Sequence, residues 1–412
     1  MIASLLTVTR RPVHALRSMW RIMMRPTYAV FSQSEHRERL ARAREVLRPH
    51  GIELCVSVAP EHLFYIGGYD SWVSVNSPQA LIFSTAGGEP TLVVRDVDLA
   101  LPRETSWIED VRSYHLITDD VPALIAAIAR EKGLGEGGGK VAIESHSYAL
   151  PYALGTAIAD AIAPARLVDC TETLSAIRLV KSEAEMRCIA EAARFADAGL
   201  AAARRALKPG MTEIALAAVV ENAMRQAGSD YWSIPTELSS GPRTPGGHAT
   251  PRERPIEPGD LVHLEFAGVS KRYHAAAIHT MCLGEPSALA RELYHHARQS
   301  LAAGIAAARP GAPVGEIEEA SLEPLRKVGL EANAVMRFGY GIGIAYPPIW
   351  LEPLQITRGI DQVLQPGMVF VLHAYIQLLD EGLGIVQGGT YALTASGLEM
   401  LVGGGDVALD IL

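Results

Sequence analysis

Two residues at matching places in a repeated pattern are the first candidates for chemistry. The run Glu257-Pro258-Gly259-Asp260-Leu261-Val262-His263-Leu264-Glu265 parallels Gln365-Pro366-Gly367-Met368-Val369-Phe370-Val371-Leu372-His373. In each copy a Pro-Gly turn feeds an apolar strand, and a polar residue arrives six positions after the glycine. Strand side chains alternate, so Val262, Leu264 and Phe266 take one side while His263 and Glu265 take the other. Phe370, Leu372 and Ala374 separate in the same way from Val371 and His373. Two related halves therefore direct Glu265 and His373 towards a shared cleft. A glutamate on an otherwise apolar strand is costly to bury without a purpose.

Further candidates flank this pair. His248 sits in a glycine-rich loop ahead of the first strand, where an imidazole either moves protons near neutral pH or bridges backbone groups. His274 and His279 share one hairpin and are read either as site residues or as packed and solvated ones. Gly339, Gly341 and Gly343 lack the P-loop lysine and a GxGxxG spacing, so they are read as close backbone packing and not as a phosphate cradle. The four cysteines, Cys55, Cys170, Cys188 and Cys282, are scattered without metal-type spacing. They read as reduced, mostly packed thiols of a cytoplasmic protein.

The elements that must position these residues fall into two regions. Glu35–Leu47 is helical in pattern and leads into strand-like Ile52–Val58; Ala80–Phe83, Thr91–Val94 and Lys140–Ile143 follow as strands. This alternation predicts an α/β domain over 35–175. Ser182 is then a helix N-cap with Glu185 completing a capping box, and Thr212 caps a second helix running to about Ala227. A second domain is predicted over 176–412.

With 412 residues, two domains are the default. The 49% hydrophobic and 20% charged composition is that of a globular chain. A net charge of -9 argues against a nucleic-acid partner. Residues 1–34 form a basic arm, with Arg10, Arg11, Arg17, Arg21 and Arg25 and no acid before Glu35. It is read as a loosely ordered arm, with a membrane-surface helix or an oligomer clasp as the competing readings. No stretch has the roughly 20 apolar residues of a membrane span, and no membrane partner is expected.

From about residue 35 to 405 the landmarks resemble the pita-bread family of Xaa-Pro dipeptidases, methionine aminopeptidases and creatinase. The pieces that carry the resemblance are IRLVKSEAEM, GHATPRERPIEPGD, HLEFAG…RYHAAAIHT, FGYGIGIAYPP and QPGMVFVLHAY, in the family's order. It implies a creatinase-like N-terminal α/β domain and a C-terminal α+β domain with an internal pseudo-twofold repeat. In the metallopeptidases two aspartates, a histidine and two glutamates hold two metal ions. Those positions fall here on Glu265, Ala276, Tyr340, His373 and about Gly388, so no metal and no other cofactor is expected.

The sequence looks most similar to the ectoine hydrolase branch, through Gly68-Tyr69-Asp70-Ser71-Trp72, Leu264-Glu265-Phe266-Ala267-Gly268 and the run Gly339 to Trp350. The resemblance implies a metal-independent hydrolase of a C–N bond in a small amidine- or amide-type molecule. Glu265 is implied as nucleophile or base, with His248 as proton shuttle and Tyr69 reaching in from the other subunit of a homodimer. His373, Tyr340 and His274 would orient the substrate, and Trp350 and Trp72 would wall the pocket. A carboxylate on the substrate would call for Arg243 or Arg337. Two other readings stay open: a non-catalytic binding module, as in pita-bread domains of chromatin proteins, or a lyase or hydrolase of another small zwitterion.

Overall fold

The structure is a computed structural model that describes residues 27–403 and 409–412. Most of the basic arm, residues 1–26, lies outside the described residues. The chain divides into two compact units, the first ending at Leu174 and the second spanning Ser175–Leu412.

In the first unit helix α1 (Gln33–Leu47) starts at Ser32, whose side chain accepts from the Glu35 amide. Strands β1 (Leu54–Ser57), β2 (Ala80–Ser84), β3 (Thr91–Arg95), β4 (Asp110–Tyr114), β5 (Lys140–Ile143) and β6 (Arg166–Asp169) make one sheet in the order β4-β3-β2-β1-β5-β6. Helices α2 (Pro60–Gly67), α3 (Leu101–Thr105), α4 (Val121–Glu131) and α5 (Tyr152–Ile162) accompany it, and α6 (Thr171–Ala176) lies at the junction. Leu54, Val56, Ile82 and Val93 pack with Ile125, Ile128 and Ile158 into its core. The two edge strands escape a hydrophobic-pattern reading because β4 and β6 are only partly buried.

The second unit begins with α7 (Glu183–Ala206), which carries the full capping box of Ser182 and Glu185. Helix α8 (Glu213–Ala227) is capped by Thr212 and ends at Gly228 in the left-handed region. The sheet is built from β7 (Glu237–Ser240), β8 (Leu261–Ser270), β9 (Tyr273–Cys282), β10 (Gly339–Ile342), β11 (Leu351–Ile356), β12 (Val369–Leu378) and β13 (Leu383–Thr394), in the order β11-β10-β12-β13-β9-β8-β7. Two further strands, β14 (Gly397–Gly403) and β15 (Asp410–Ile411), pair with β13 and β9.

The repeat anticipated from the two Pro-Gly runs is visible as two hairpins, β8/β9 and β12/β13, each packed by a helix pair. Helix α7 lies on the first hairpin, and α9 (Ala288–Ala307) on the second, with α10 (Val314–Lys327) beside it. Phe370, Leu372 and Ala374 occupy a core cluster, as their alternation predicted. The cleft-facing side of the hairpins is buried too: every residue of β8 and β9 is buried, with Glu265 keeping 6% exposure. The four cysteines are free and buried. Among the described residues no helix is long and apolar enough to cross a membrane.

Candidate active site

The strand register assembles a row of side chains on one face of the second unit. Glu237 on β7 pairs with Glu265 on β8, and Glu265 with Ile278 on β9. Ile278 pairs with Gly388 on β13, and Gly388 with His373 on β12. Directly paired residues of antiparallel strands point to the same side, with Cβ atoms about 4.5–5.5 Å apart. Tyr340 on β10 pairs with Val371, two residues from His373, and so joins the same face. The register thus brings Glu265 and His373 to one surface.

At the centre the Tyr340 hydroxyl donates to Glu265 Oε1 at 3.2 Å. The Trp350 side chain lies close enough to lower the proton affinity of the Tyr340 hydroxyl, and the Tyr340 and His373 rings lie 5.8 Å apart. The Arg337 guanidinium sits 5.1 Å from the Tyr340 ring centroid. Burial pushes the Glu265 carboxyl upward, against the Tyr340 hydrogen bond and the Arg337 charge. Glu237 is also raised, by burial first and then by the negative charge of Glu265. Two carboxyls this close and this dry do not both ionise readily. His373 is lowered to about 3 by burial, with the charges of Arg337, His248 and His263 adding to it. His263, two residues before Glu265 on the same face, is lowered to about 4 for the same first reason. Both imidazoles are neutral at physiological pH.

His248 lies exposed in the loop before β8, close enough for its charge to act on His263 and His373. His274 is placed elsewhere on the same face: its Nδ1 bonds the Gly343 carbonyl at 3.2 Å and its ring meets Tyr231 edge-on. Four residues of strand separate it from Ile278, about 13 Å. Arg243 is occupied by Glu213 and by the Thr250 carbonyl. Tyr69 and Trp72 belong to the first unit. Tyr69 is 1% exposed and its hydroxyl accepts from Gln79 Nε2 at 3.0 Å, whereas Trp72 is 62% exposed.

Glu237 was missed in the sequence. Its strand has four residues, too few for a periodic signal, and only its register with β8 identifies it. Thr236 beside it turns the other way and donates to Glu221 on α8 at 2.8 Å, which leaves Glu237 for the site face. His263 carried a signal that went unused, the same strand parity as Glu265.

The donor set does not fit the dinuclear metal centre of the metallopeptidases. The five corresponding positions, Glu265, Ala276, Tyr340, His373 and Gly388, do share one face, and they offer a single carboxylate. Two divalent ions need several anionic oxygens in place of their water. Among the described residues no group of three His, Cys, Asp or Glu side chains is placed to hold a metal ion. At Gly388 a side chain has no room: a Cβ there would lie 2.3 Å from the Leu372 carbonyl oxygen. At Ala276 both backbone groups are bonded by the Thr390 hydroxyl.

Comparison with known proteins identifies the two domains. Residues 187–395 match the model of metallopeptidase family M24, and residues 39–180 that of the creatinase/prolidase N-terminal domain. An uncharacterized hydrolase/peptidase of Sinorhizobium fredii is 26% identical over 90% of this chain and 96% of its own length. The ectoine hydrolase of Halomonas elongata is 26% identical over 90% of this chain and 96% of its own. The solved Xaa-Pro dipeptidase from Bacillus anthracis superposes with a TM-score of 0.81 at 22% identity, covering 92% of this chain and all of the other.

Proposed function

The chain belongs to metallopeptidase family M24, and from that premise we propose that it is a metal-independent hydrolase of a C–N bond in a small amidine- or amide-type molecule. The observation that carries this reading is Glu265: a buried carboxyl held by Tyr340, at a family ligand position whose carboxylate companions are replaced by Ala276 and Gly388. The relative named ectoine hydrolase supports the substrate class, because ectoine is a cyclic amidine carboxylate whose ring carbon is already electrophilic.

In this mechanism Glu265, once ionised, forms a C–O bond to the amidine or amide carbon. The C–N bond breaks as a proton passes to the departing nitrogen, and water then hydrolyses the enzyme-bound intermediate and frees Glu265. Glu237 supplies that proton, since it faces Glu265 directly and its Oε2 is buried without a hydrogen-bond partner. Its carboxylate then deprotonates the incoming water and is ready for the next turnover. Tyr340 orients Glu265, while neutral His373 meets the substrate as a hydrogen-bonding group. His248, at the exposed edge, exchanges protons with solvent.

The test is incubation with ectoine, followed by NMR for the ring-opened N-acetyl diaminobutyrates. Glu265→Gln is expected to lose roughly 10³-fold or more in turnover while keeping its circular dichroism spectrum. Full activity in that variant would remove Glu265 from its role. Inert ectoine together with inert simple amidines and amides would remove the reaction.

A further inference from the structure

One cation of the site forms no ion pair among the described residues. Arg337 lies over the Tyr340 ring, and its charge reaches both Glu265 and His373. Its Nε is buried and makes no hydrogen bond, and no ion pair among the described residues engages it. Other arginines of the second unit differ. Arg243 is held by Glu213, Arg254 by Asp260, and Arg272 stacks between Tyr231 and Tyr346. Buried polar atoms in native proteins are nearly always satisfied, so an orphan donor beside a reactive carboxyl points to a group that arrives from outside.

The same surroundings hold other unsatisfied atoms of a different kind. Both nitrogens of His373 and Oε2 of Glu237 are buried without partners. The site therefore has an acidic side at Glu237 and Glu265 and a basic corner at Arg337. A neutral amide would leave the guanidinium uncompensated, and a plain cation would meet its repulsion. A planar guanidinium matches a carboxylate through two parallel hydrogen bonds.

We propose that Arg337 is the specificity-determining residue of this site and anchors a carboxylate carried by the substrate. The assignment rests on the C–N hydrolase reading for the identity of the opposite, nitrogen-bearing end, which faces Glu237 and Glu265. It selects between the two arginines open to that role in the sequence, because Arg243 is already neutralised within the protein. Arg337 acts on recognition and not on bond making. A residue that merely tuned Glu265 would affect ligands with and without a carboxylate alike.

The experiment uses calorimetry on the turnover-deficient Glu265→Gln protein, with two probes: a cyclic amidine bearing a ring carboxylate and the same amidine without it. The carboxylated probe is expected to bind at least about 10-fold tighter, the scale of a charge-assisted hydrogen bond. Adding Arg337→Met is expected to erase that advantage and leave the bare amidine unchanged or tighter. Arg337→Lys is expected to restore part of it, which also controls for misfolding. Equal affinity for the two probes, an advantage that survives Arg337→Met, or no binding of either probe overturns the assignment. Turnover by the wild-type protein is scored separately. Hydrolysis of both probes with equal efficiency leaves the reaction standing and removes the anchor. Selective binding without hydrolysis removes the reaction and leaves the anchor.

Discussion

Glu237 and Glu265 are opposed across one antiparallel pair, and neither is compensated by a salt bridge among the described residues. In the unfolded chain both carboxyls ionise at ordinary acidic pH, whereas the folded protein keeps them protonated up to the range of about 7 to 9. The folded state thus binds the proton more tightly, and its stability falls as pH rises from the unfolded carboxyl value near 4.5 up to that range. Removing one charge relieves this. Glu237→Gln is therefore expected to melt at the same temperature as wild type near pH 4, where the carboxyl is protonated in both states, and at least about 3 °C higher near pH 9, read by calorimetry. Identical alkaline melting of the two proteins would show that the carboxyls do not interact. At the acid end a different group governs, because neutral His263, His274 and His373 must charge on unfolding, and that limb is common to both proteins. Glu265 and His373 were legible from the repeat, since two equal offsets after Pro-Gly turns constrain both. Glu237 was not, because pairing across strands is a tertiary fact with no local period.

At the scale of elements, the site depends on how closely α7 lies on β8. Gly268 makes that approach possible: a Cβ there would stand 2.1 Å from the Ala192 carbonyl oxygen and 2.7 Å from the Ala196 amide. Gly199 on the helix meets the Phe266 ring in the same interface. Backbone atoms cannot swing aside as a side chain can, so Gly268→Ala must push the helix away from the strand. It is expected to cost about 2–4 kcal/mol in a denaturant titration, the upper range for overpacking. A loss below about 0.5 kcal/mol would mean that the helix is not seated as described. The capping box at Ser182 and the cap at Thr212 were readable beforehand, because a cap is written in adjacent residues. The edge strands β4 and β6 were not, because exposure of an edge dilutes the apolar pattern that marks a strand.

Across the second unit, the sheet retains the family's geometry while its donor chemistry differs. A bound ion would stabilise the folded state in proportion to its affinity. Addition of zinc, manganese or cobalt, or dialysis against a chelator, is therefore expected to leave the melting temperature within about 1 °C and turnover unchanged. A rise of several degrees with any of these ions, about what a site at 100-fold saturation would give, would overturn metal independence. Fold class was legible because five short motifs in a fixed order restrict the topology far more than any one does. The detailed site was less so: motifs indicate where a ligand position lies in the chain, and only register tells which neighbours crowd it.

That crowding limits what the strand pair can carry. Gly388 has a carbonyl oxygen 2.3 Å from where its side chain would begin, so a glutamate there first requires β12 and β13 to separate. Exchanging Ala276 for aspartate is a change of one side chain, but the companion change is a change of backbone. A designer wanting a carboxylate at Gly388 must therefore begin with the spacing of two strands.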